Sequence, residues 1–315
     1  MSAEFNWFPG HMNKTLKDIE ARIEIVDVVV EVIDSRAPYS SKNATFKKLL
    51  KDKPIVYIFS KADIADSKVT QQWVDYYIKN ENSKVIVLYN RHTDIVNELI
   101  NVINELTIKK REKDKAKGIK NTLINALVIG IPNVGKSTFI NRVIKGKNVK
   151  VGNKPGVTRG IQLIHLNPFI NLLDTPGVLP SKLESETVAV NICINSIKDN
   201  VFPKERVAAK LMSYIYNNYD DIIEKYYKIN LRLQKPISVI DSYKIFETIG
   251  IEKKWYVTED ILDMERILSS FLKDLDKGKL GKISFEKVLE VVPEEIQKAI
   301  NPEDNKQDND ISSLW

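Results

Sequence analysis

A chain of 315 residues is long enough for roughly two domains of about 100–200 residues each, and its 43% apolar and 29% charged composition supports a real core and excludes global disorder. The net charge of +6, from 48 basic and 42 acidic side chains, permits a polyanionic partner without demanding one. The single Cys193 excludes a disulfide framework or a thiolate zinc cluster and fits a reducing compartment.

In chain order, Met12, Leu16, Ile19, Ile23 and Val26 share one helical face, so a helix is predicted over 12–26. The β-branched run 28–33, ending at Asp34, reads as a buried strand. Strands at 54–59 and 85–88 follow, with helices near 43–51, 67–79 and 94–108. The run Lys109 to Lys120 is dense in charge and reads as a solvated linker, with contact to nucleic-acid phosphate as the alternative. A strand at 123–129, a helix at 136–145 and strands at 161–166 and 169–173 complete an α/β pattern. Its sheet is expected to be largely parallel, with sites at strand C-terminal ends.

After residue 183 the β-branched runs stop. Helices are predicted near 185–198, 204–217, 219–228, 241–249 and 258–276, giving a first domain over 1–183 and a smaller all-α domain over 184–300. The polar tail 301–315 is expected to be disordered. No apolar run approaches the roughly 18 residues of a membrane span, and residues 1–7 lack the pattern of a secretory signal. A cytoplasmic protein without a membrane partner is expected.

Gly130-Ile131-Pro132-Asn133-Val134-Gly135-Lys136-Ser137 fits the phosphate-loop pattern G-x-x-x-x-G-K-[ST] between a strand and a helix. Backbone N–H groups of such a loop turn inward around phosphate oxygens, helped by the positive end of the following helix, which begins Lys136-Ser137-Thr138. Lys136 is expected to reach the β- and γ-phosphates and Ser137 to ligate Mg²⁺. Asp174-Thr175-Pro176-Gly177, after the apolar strand 169–173, supplies a carboxylate for water-mediated Mg²⁺ contact and a Gly amide for the γ-phosphate. Between them, Pro155-Gly156-Val157-Thr158-Arg159-Gly160 offers Thr158 as a further Mg²⁺ ligand.

Ser60-Lys61-Ala62-Asp63 closes the strand 54–59 and resembles the guanine-reading N-K-x-D of GTPases, in which the Asp accepts two hydrogen bonds from guanine. Ser60 replaces the Asn, which shortens or removes one anchor to the base and the phosphate loop. The alternative for Asp63 is a helix N-cap. Val87-Leu88-Tyr89-Asn90 stands where an S-A-like segment contributes backbone N–H groups.

The base-reading motif precedes the phosphate loop, the reverse of the ordinary order, so the chain resembles the circularly permuted GTPases. Trp7-Phe8-Pro9-Gly10-His11-Met12, Asp34-Ser35-Arg36-Ala37-Pro38, the phosphate loop, Pro155 to Arg159, Asp174 to Val178 and Gly278-Lys279-Leu280-Gly281-Lys282-Ile283-Ser284-Phe285-Glu286 are together similar to the ribosome biogenesis GTPase A family over about 5–290. The resemblance implies a P-loop GTPase domain followed by a helical domain that contacts ribosomal RNA. It also implies GTP hydrolysis to GDP during late maturation of the large ribosomal subunit, among ribosomal RNA and proteins. No DNA partner is expected, and the protein is expected to be monomeric away from the ribosome. Two other readings stay open: a GTP-dependent binding module with little turnover, and a small-subunit factor. Relatives of the latter kind usually carry an added RNA barrel or zinc module, for which this chain has no room.

Ordinary GTPases orient water with a Gln after D-x-x-G, but here Val178 stands there. Permutation brings the N-terminal helix into the space after D-x-x-G, so His11 at its start is the candidate to position the attacking water. The alternative is a purely capping turn. Asn133 is the candidate to accompany a bound K⁺, against a loop-stabilising role. His92, His165 and Cys193 read as structural. Lys198, Lys204, Arg206, Lys210, Lys225, Lys228, Arg232 and Lys235, with Tyr214, Tyr216, Tyr226 and Tyr227, are candidates for an RNA-facing surface.

Overall fold

The computed structural model describes residues 10–50, 53–81, 83–90, 94–145, 160–180, 183, 185–196 and 203–291. His92, Thr158, Lys198 and the tail 301–315 lie outside the described residues.

The first part runs α1 (Gly10–Glu20), β1 (Val28–Asp34), α2 (Ala44–Leu50), β2 (Ile55–Ser60), α3 (Ser67–Glu81), β3 (Lys84–Val87), α4 (Ile95–Leu106), α5 (Ile108–Ala116), β4 (Ile124–Ile129), α6 (Lys136–Lys145), β5 (Gln162–Asn167) and β6 (Ile170–Asp174). These strands form one six-stranded sheet in the order β3-β2-β1-β4-β6-β5. All neighbours are parallel except the β5–β6 pair. β1 lies between β2 and β4, and every one of its residues is buried, as its unbroken apolar run requires of a strand covered on both faces. In β2, Tyr57 and Phe59 pack with Ile33 against Trp73 and Tyr77 of α3, whereas Val56 and Ile58 belong to the larger core of the opposite face. Parallel register places Asp34 beside Ser60 and Val128 beside Asp174, so the chemistry-bearing ends of the strands share one edge.

The remainder comprises α7 (Glu186–Ser196), α8 (Lys204–Asn218), α9 (Ile222–Tyr227), α10 (Ser242–Lys253), β7 (Tyr256–Thr258), β8 (Ile261–Leu262), α11 (Met264–Asp276) and α12 (Val288–Val291). The larger apolar core runs continuously from the sheet into α7, α8, α10 and α11. We propose a boundary between folding units near 183/184. Residues 278–291 return to the first unit: the Trp73 indole donates to the Glu286 carbonyl at 2.9 Å, Ile283 N–H to the Ile64 carbonyl at 3.1 Å and Phe285 N–H to the Arg36 carbonyl at 2.7 Å.

Several elements differ from expectation for local reasons. The first helix ends at Glu20 and a 3₁₀ turn occupies Ile23–Ile25, where β-branched side chains crowd the helical backbone. The charged run is helix α5 rather than an irregular linker, tied down by Lys110 to Asp27 at 3.4 Å and Arg111 to Asn104 at 2.8 Å. Nor is the last part all-helical. The predicted helix 258–276 opens as the hairpin β7–β8 and turns helical only after Asp263, whose carboxylate caps the Arg266 N–H at 3.0 Å.

The RNA-facing set also needs correction. Tyr216 and Tyr227 are buried, and the buried Tyr214 hydroxyl points away from solvent. Arg206 and Lys210 both pair with Glu186, and Lys235 pairs with Asp220. Aromatic spacing on α8 and α9 therefore reported core, not a stacking platform. Trp255 is half-buried against the core, with Arg266 stacked on its ring. Cys193 is buried, and His165 is held by Asn171 at 2.8 Å, both as expected of structural residues.

Candidate nucleotide site

The edge that gathers the strand ends opens into a cavity of about 1020 Å³. Ser60, Lys61 and Asp63 line one part of it, and the phosphate loop with Ser137 and Thr138 lines another. Motifs far apart in the sequence thus meet in one concavity.

The phosphate loop leaves β4 at Gly130 and enters α6 at Lys136. Gly135 has φ +104°, and a Cβ there would lie 3.1 Å from the Ser60 Cβ. Asn133 has φ +57°, a region that Asn tolerates better than other side chains, so a loop-shaping role is visible for it. Pro132 and Val134 flank it, Pro132 on the cavity wall and Val134 in the core. Lys136 and Asp174 are both buried and paired at 2.6 Å. Burial raises the Asp174 carboxyl above its ordinary range, and the charge and hydrogen bond of Lys136 offset this only in part. Gly177 sits directly on the loop, since a Cβ there would be 2.9 Å from backbone atoms of Pro132.

Ser60 keeps an anchor to the phosphate loop. Its hydroxyl reaches the Val134 carbonyl of the phosphate loop and lies 2.8 Å from the Ile33 carbonyl. One hydroxyl hydrogen serves one of these acceptors at a time, but the bridge from base motif to phosphate loop exists. The capping reading of Asp63 fails. Asp63 lies inside the 3₁₀ turn Ala62–Ile64, and Asp66 caps α3 through the Lys68 and Val69 N–H groups. The Asp63 carboxylate instead accepts the Asn90 N–H at 2.6 Å, which ties the base motif to the 88–90 segment. Arg142 of α6 fixes that segment through the Tyr89 carbonyl at 2.6 Å and the Asn90 side chain at 3.0 Å.

A buried ionic cluster lies behind Lys61. Asp34 and Arg36, from the D-S-R-A-P segment, pair at 2.8 Å, and Lys61 Nζ is 3.4 Å from Asp34. Burial alone would raise the Asp34 carboxyl, but the charges of Arg36 and then Lys61 outweigh it and hold the group well below the usual carboxylate range. Arg36 also donates to the Leu275 carbonyl at the end of α11. The C-terminal G-K-L-G-K-I-S-F-E stretch braces the same loops. Gly278 (φ +66°) packs so tightly on Ile64 that a Cβ would come within 2.2 Å. Buried Glu286 accepts N–H groups of Tyr39 and Ser40, the Ser40 hydroxyl and the Asn191 amide. Burial pushes this carboxyl up, and those hydrogen bonds only moderate the shift. These buttressing contacts carried no motif chemistry that sequence reasoning could assign.

α1 begins beside the segment after D-x-x-G: the Leu179 N–H faces the Met12 sulfur at 3.5 Å. His11 occupies the first turn of α1, its side chain outside the described part. Val178 is buried, bonded to the Gly130 carbonyl and the Asn43 amide.

Hard oxygen donors suit Mg²⁺, and the Ser137 hydroxyl and Asp174 carboxylate are of that kind. Among the described residues no cluster of three or more His, Cys, Asp or Glu could hold a metal ion.

A family model described as 50S ribosome-binding GTPase matches residues 125–241. It begins at β4 and so leaves the base motif outside, as a linear model must on a permuted chain. "Ribosome biogenesis GTPase A" of Bacillus licheniformis is 33% identical over 282 residues, covering 89% of this chain and 97% of that protein. The Thermotoga maritima protein of the same name is 30% identical, covering 91% and 96%. The crystal structure of GNP-bound YlqF from T. maritima superposes with a TM-score of 0.57 at 25% identity, covering 87% of this chain and 98% of that one. With a P-loop and a base motif in permuted order on one sheet edge, and this likeness along nearly its whole length, the chain belongs to the ribosome biogenesis GTPase A family.

Proposed function

We propose that this protein is a GTPase of ribosome biogenesis that acts in late maturation of the large subunit, binding the precursor particle with GTP and leaving after hydrolysis. The observation that carries the nucleotide half is the convergence of Asp63, Ser60 and the phosphate loop in one cavity. The ribosomal half rests on family membership, including the description "50S ribosome-binding GTPase".

In this reading Asp63 accepts the guanine N–H pair, Lys61 covers the base, and amides of Pro132 to Gly135 with Lys136 cradle the phosphates. Ser137 and Thr158 would hold Mg²⁺ directly and Asp174 through water, and the bound ion would supply positive charge to the phosphates. Lys136 leaves Asp174 for the phosphates when nucleotide binds. Gly177 senses the γ-phosphate, and because it already rests on Pro132, its loss or gain is passed to the segment leading into α7. His11 positions the attacking water, a task buried Val178 cannot perform, and Asn133 accompanies K⁺. Exposed Lys225, Lys228 and Arg232 remain the RNA-facing candidates. Among the described residues no helix is long and apolar enough to cross a membrane, and the site of action is the cytoplasm.

The test is co-sedimentation with separated ribosomal subunits across a salt series, with GDP or a non-hydrolysable GTP analogue. The expected result is analogue-dependent binding to the large subunit that weakens steeply with salt. Equal binding to both subunits, or none that depends on the analogue, would contradict it.

A further inference from the structure

Residues 109–120 carry seven basic side chains against two acidic ones, a net +5 out of +6 for the whole chain. The positive excess is therefore concentrated in α5 and the turn after it. Its place in the fold separates it from the nucleotide. Lys110 pairs with Asp27 at 3.4 Å. The Asp27 N–H donates to the Asn125 carbonyl, and its carboxylate accepts the Asn125 N–H, both at 2.9 Å. Asp27 and Asn125 stand where β1 and β4 begin, whereas the nucleotide cavity lies where these strands end. The length of β1, about 20 Å, lies between them, twice or more the roughly 8–10 Å over which exposed charges act in physiological salt.

Nor do these charges serve the fold. α5 buries no residue of its own. Lys110 and Arg111 tether it, while Lys109, Lys113, Lys115, Lys117 and Lys120 are exposed and make no ion pair among the described residues. The first turn holds Lys109, Lys110 and Arg111 and no acid, at the end where the helix dipole disfavours cations. Lys109 and Lys113 stand four apart, as do Arg111 and Lys115, a like-charge spacing that destabilises a helix. A helix that is merely solvated carries alternating signs. Here the charges oppose the helix that bears them, and a partner supplying negative charge removes that conflict. We infer that α5 and the turn to Lys120 form a docking surface for an RNA phosphate backbone, separate from the nucleotide cavity and from the lysines of the helical part. A lipid surface fits less well, because Ile108 is the only large apolar side chain of α5 and leaves it no apolar face to insert. The inference rests on the ribosomal reading above and gives the G domain its own contact with the particle.

The experiment is co-sedimentation of the full chain with large subunits, in a non-hydrolysable GTP analogue, from about 0.05 to 0.3 M salt. Three variants are compared with wild type: K109Q/K113Q/K115Q/K117Q/K120Q, the same five lysines changed to Arg, and a control of equal net charge, K14Q/K17Q/K68Q/K253Q/K277Q, at lysines exposed elsewhere. The α5 Gln variant is expected to bind about tenfold or more weakly near 0.15 M salt. Its plot of log affinity against log salt should be shallower by about 2–4, since each lost phosphate contact removes somewhat less than one from the slope. The Arg variant and the control should stay within about threefold of wild type, and calorimetry should give all chains the same GDP affinity. Filter binding to protein-free RNA extracted from the large subunit should repeat the difference. Wild-type affinity and slope in the α5 Gln variant overturn the inference. So does an equal loss in the control, which would mean net charge alone, or in the Arg variant, which keeps the charge. A loss seen with the intact subunit but not with its RNA would point to an acidic protein and overturns it too. So does lost flotation with vesicles containing phosphatidylglycerol while subunit binding is unchanged. If the wild-type chain does not bind the large subunit at all, the ribosomal reading fails and this inference with it, a result visible without any variant.

Discussion

Asp34→Ala is expected to cost about 3–5 kcal/mol of folding stability, because it leaves the Arg36 guanidinium buried beside a missing partner. Arg36 is 1% exposed, and Asp34 holds it through Nε, Nη2 and the backbone N–H. What remains is the Leu275 carbonyl at 3.2 Å and the exposed Asp276 at 3.8 Å. Chemical denaturation of both chains measures the loss, and the double variant D34A/R36A should be less unstable than the sum of the singles. The pH dependence carries a sign. A carboxyl held low in the fold stabilises at every pH above its unfolded value near 4, and this contribution fades as pH falls toward its folded value. The gap between wild type and D34A should therefore be constant from about pH 6 to 8 and close in acid. Because Lys61 shares the carboxylate, D34A should also bind GDP more weakly at temperatures where it remains folded.

Lys136→Ala is expected to lower affinity for GDP and GTP by about a hundredfold, the effect of losing charge-assisted hydrogen bonds to phosphate. Titration calorimetry reads it directly. The same change has a second signature in the nucleotide-free chain. Among the described residues Asp174 loses the cation paired with it, and its carboxyl, already raised by burial, rises further. A carboxyl raised in the fold favours folding when protonated, so its penalty grows as pH climbs from its unfolded value near 4 through its folded one. K136A should therefore fall further below wild type in stability at pH 8 than at pH 5. An equal deficit at both values would mean that Lys136 contributes to the free protein by packing alone.

Much of this site was legible because its chemistry is local. Backbone cradles, a lysine and a hydroxyl at fixed offsets, and an aspartate at a strand end are all written in short stretches, and the order in which they occur carried the permutation. Strand assignment succeeded for the same reason, since fully buried strands such as Val28–Asp34 leave an unbroken apolar run. What stayed hidden depends on distance in sequence. Ser60 read alone is a shortened asparagine, and only its approach to Gly135 and Val134 shows that the bridge survives. Gly278 and Glu286 belong to a stretch with a family likeness but no readable chemistry, and only its packing on Ile64 and Ser40 shows what it does. The tyrosines at 216 and 227 failed as nucleic-acid candidates because helical spacing of aromatics is the same for a core stripe as for a binding face. The hairpin at 256–262 overlaps the start of the predicted helix 258–276, and its strands are too short to show a period of their own, while Asp263 sets the start of the helix only through its cap.

The central claim is that Asp63, carried by the first half of the chain, reads the base of a nucleotide whose phosphates are held by the second half. Asp63→Asn tests it through specificity. Guanine offers the carboxylate two donors, N1–H and the 2-amino group, whereas xanthine replaces the amino group with a carbonyl. An asparagine offers that carbonyl its NH₂ while its oxygen still accepts N1–H. Competition of GDP against XDP should show guanine preferred by the wild-type chain and xanthine preferred by D63N, with phosphate contacts unchanged. Retention of wild-type GDP affinity and selectivity by D63N would contradict the account.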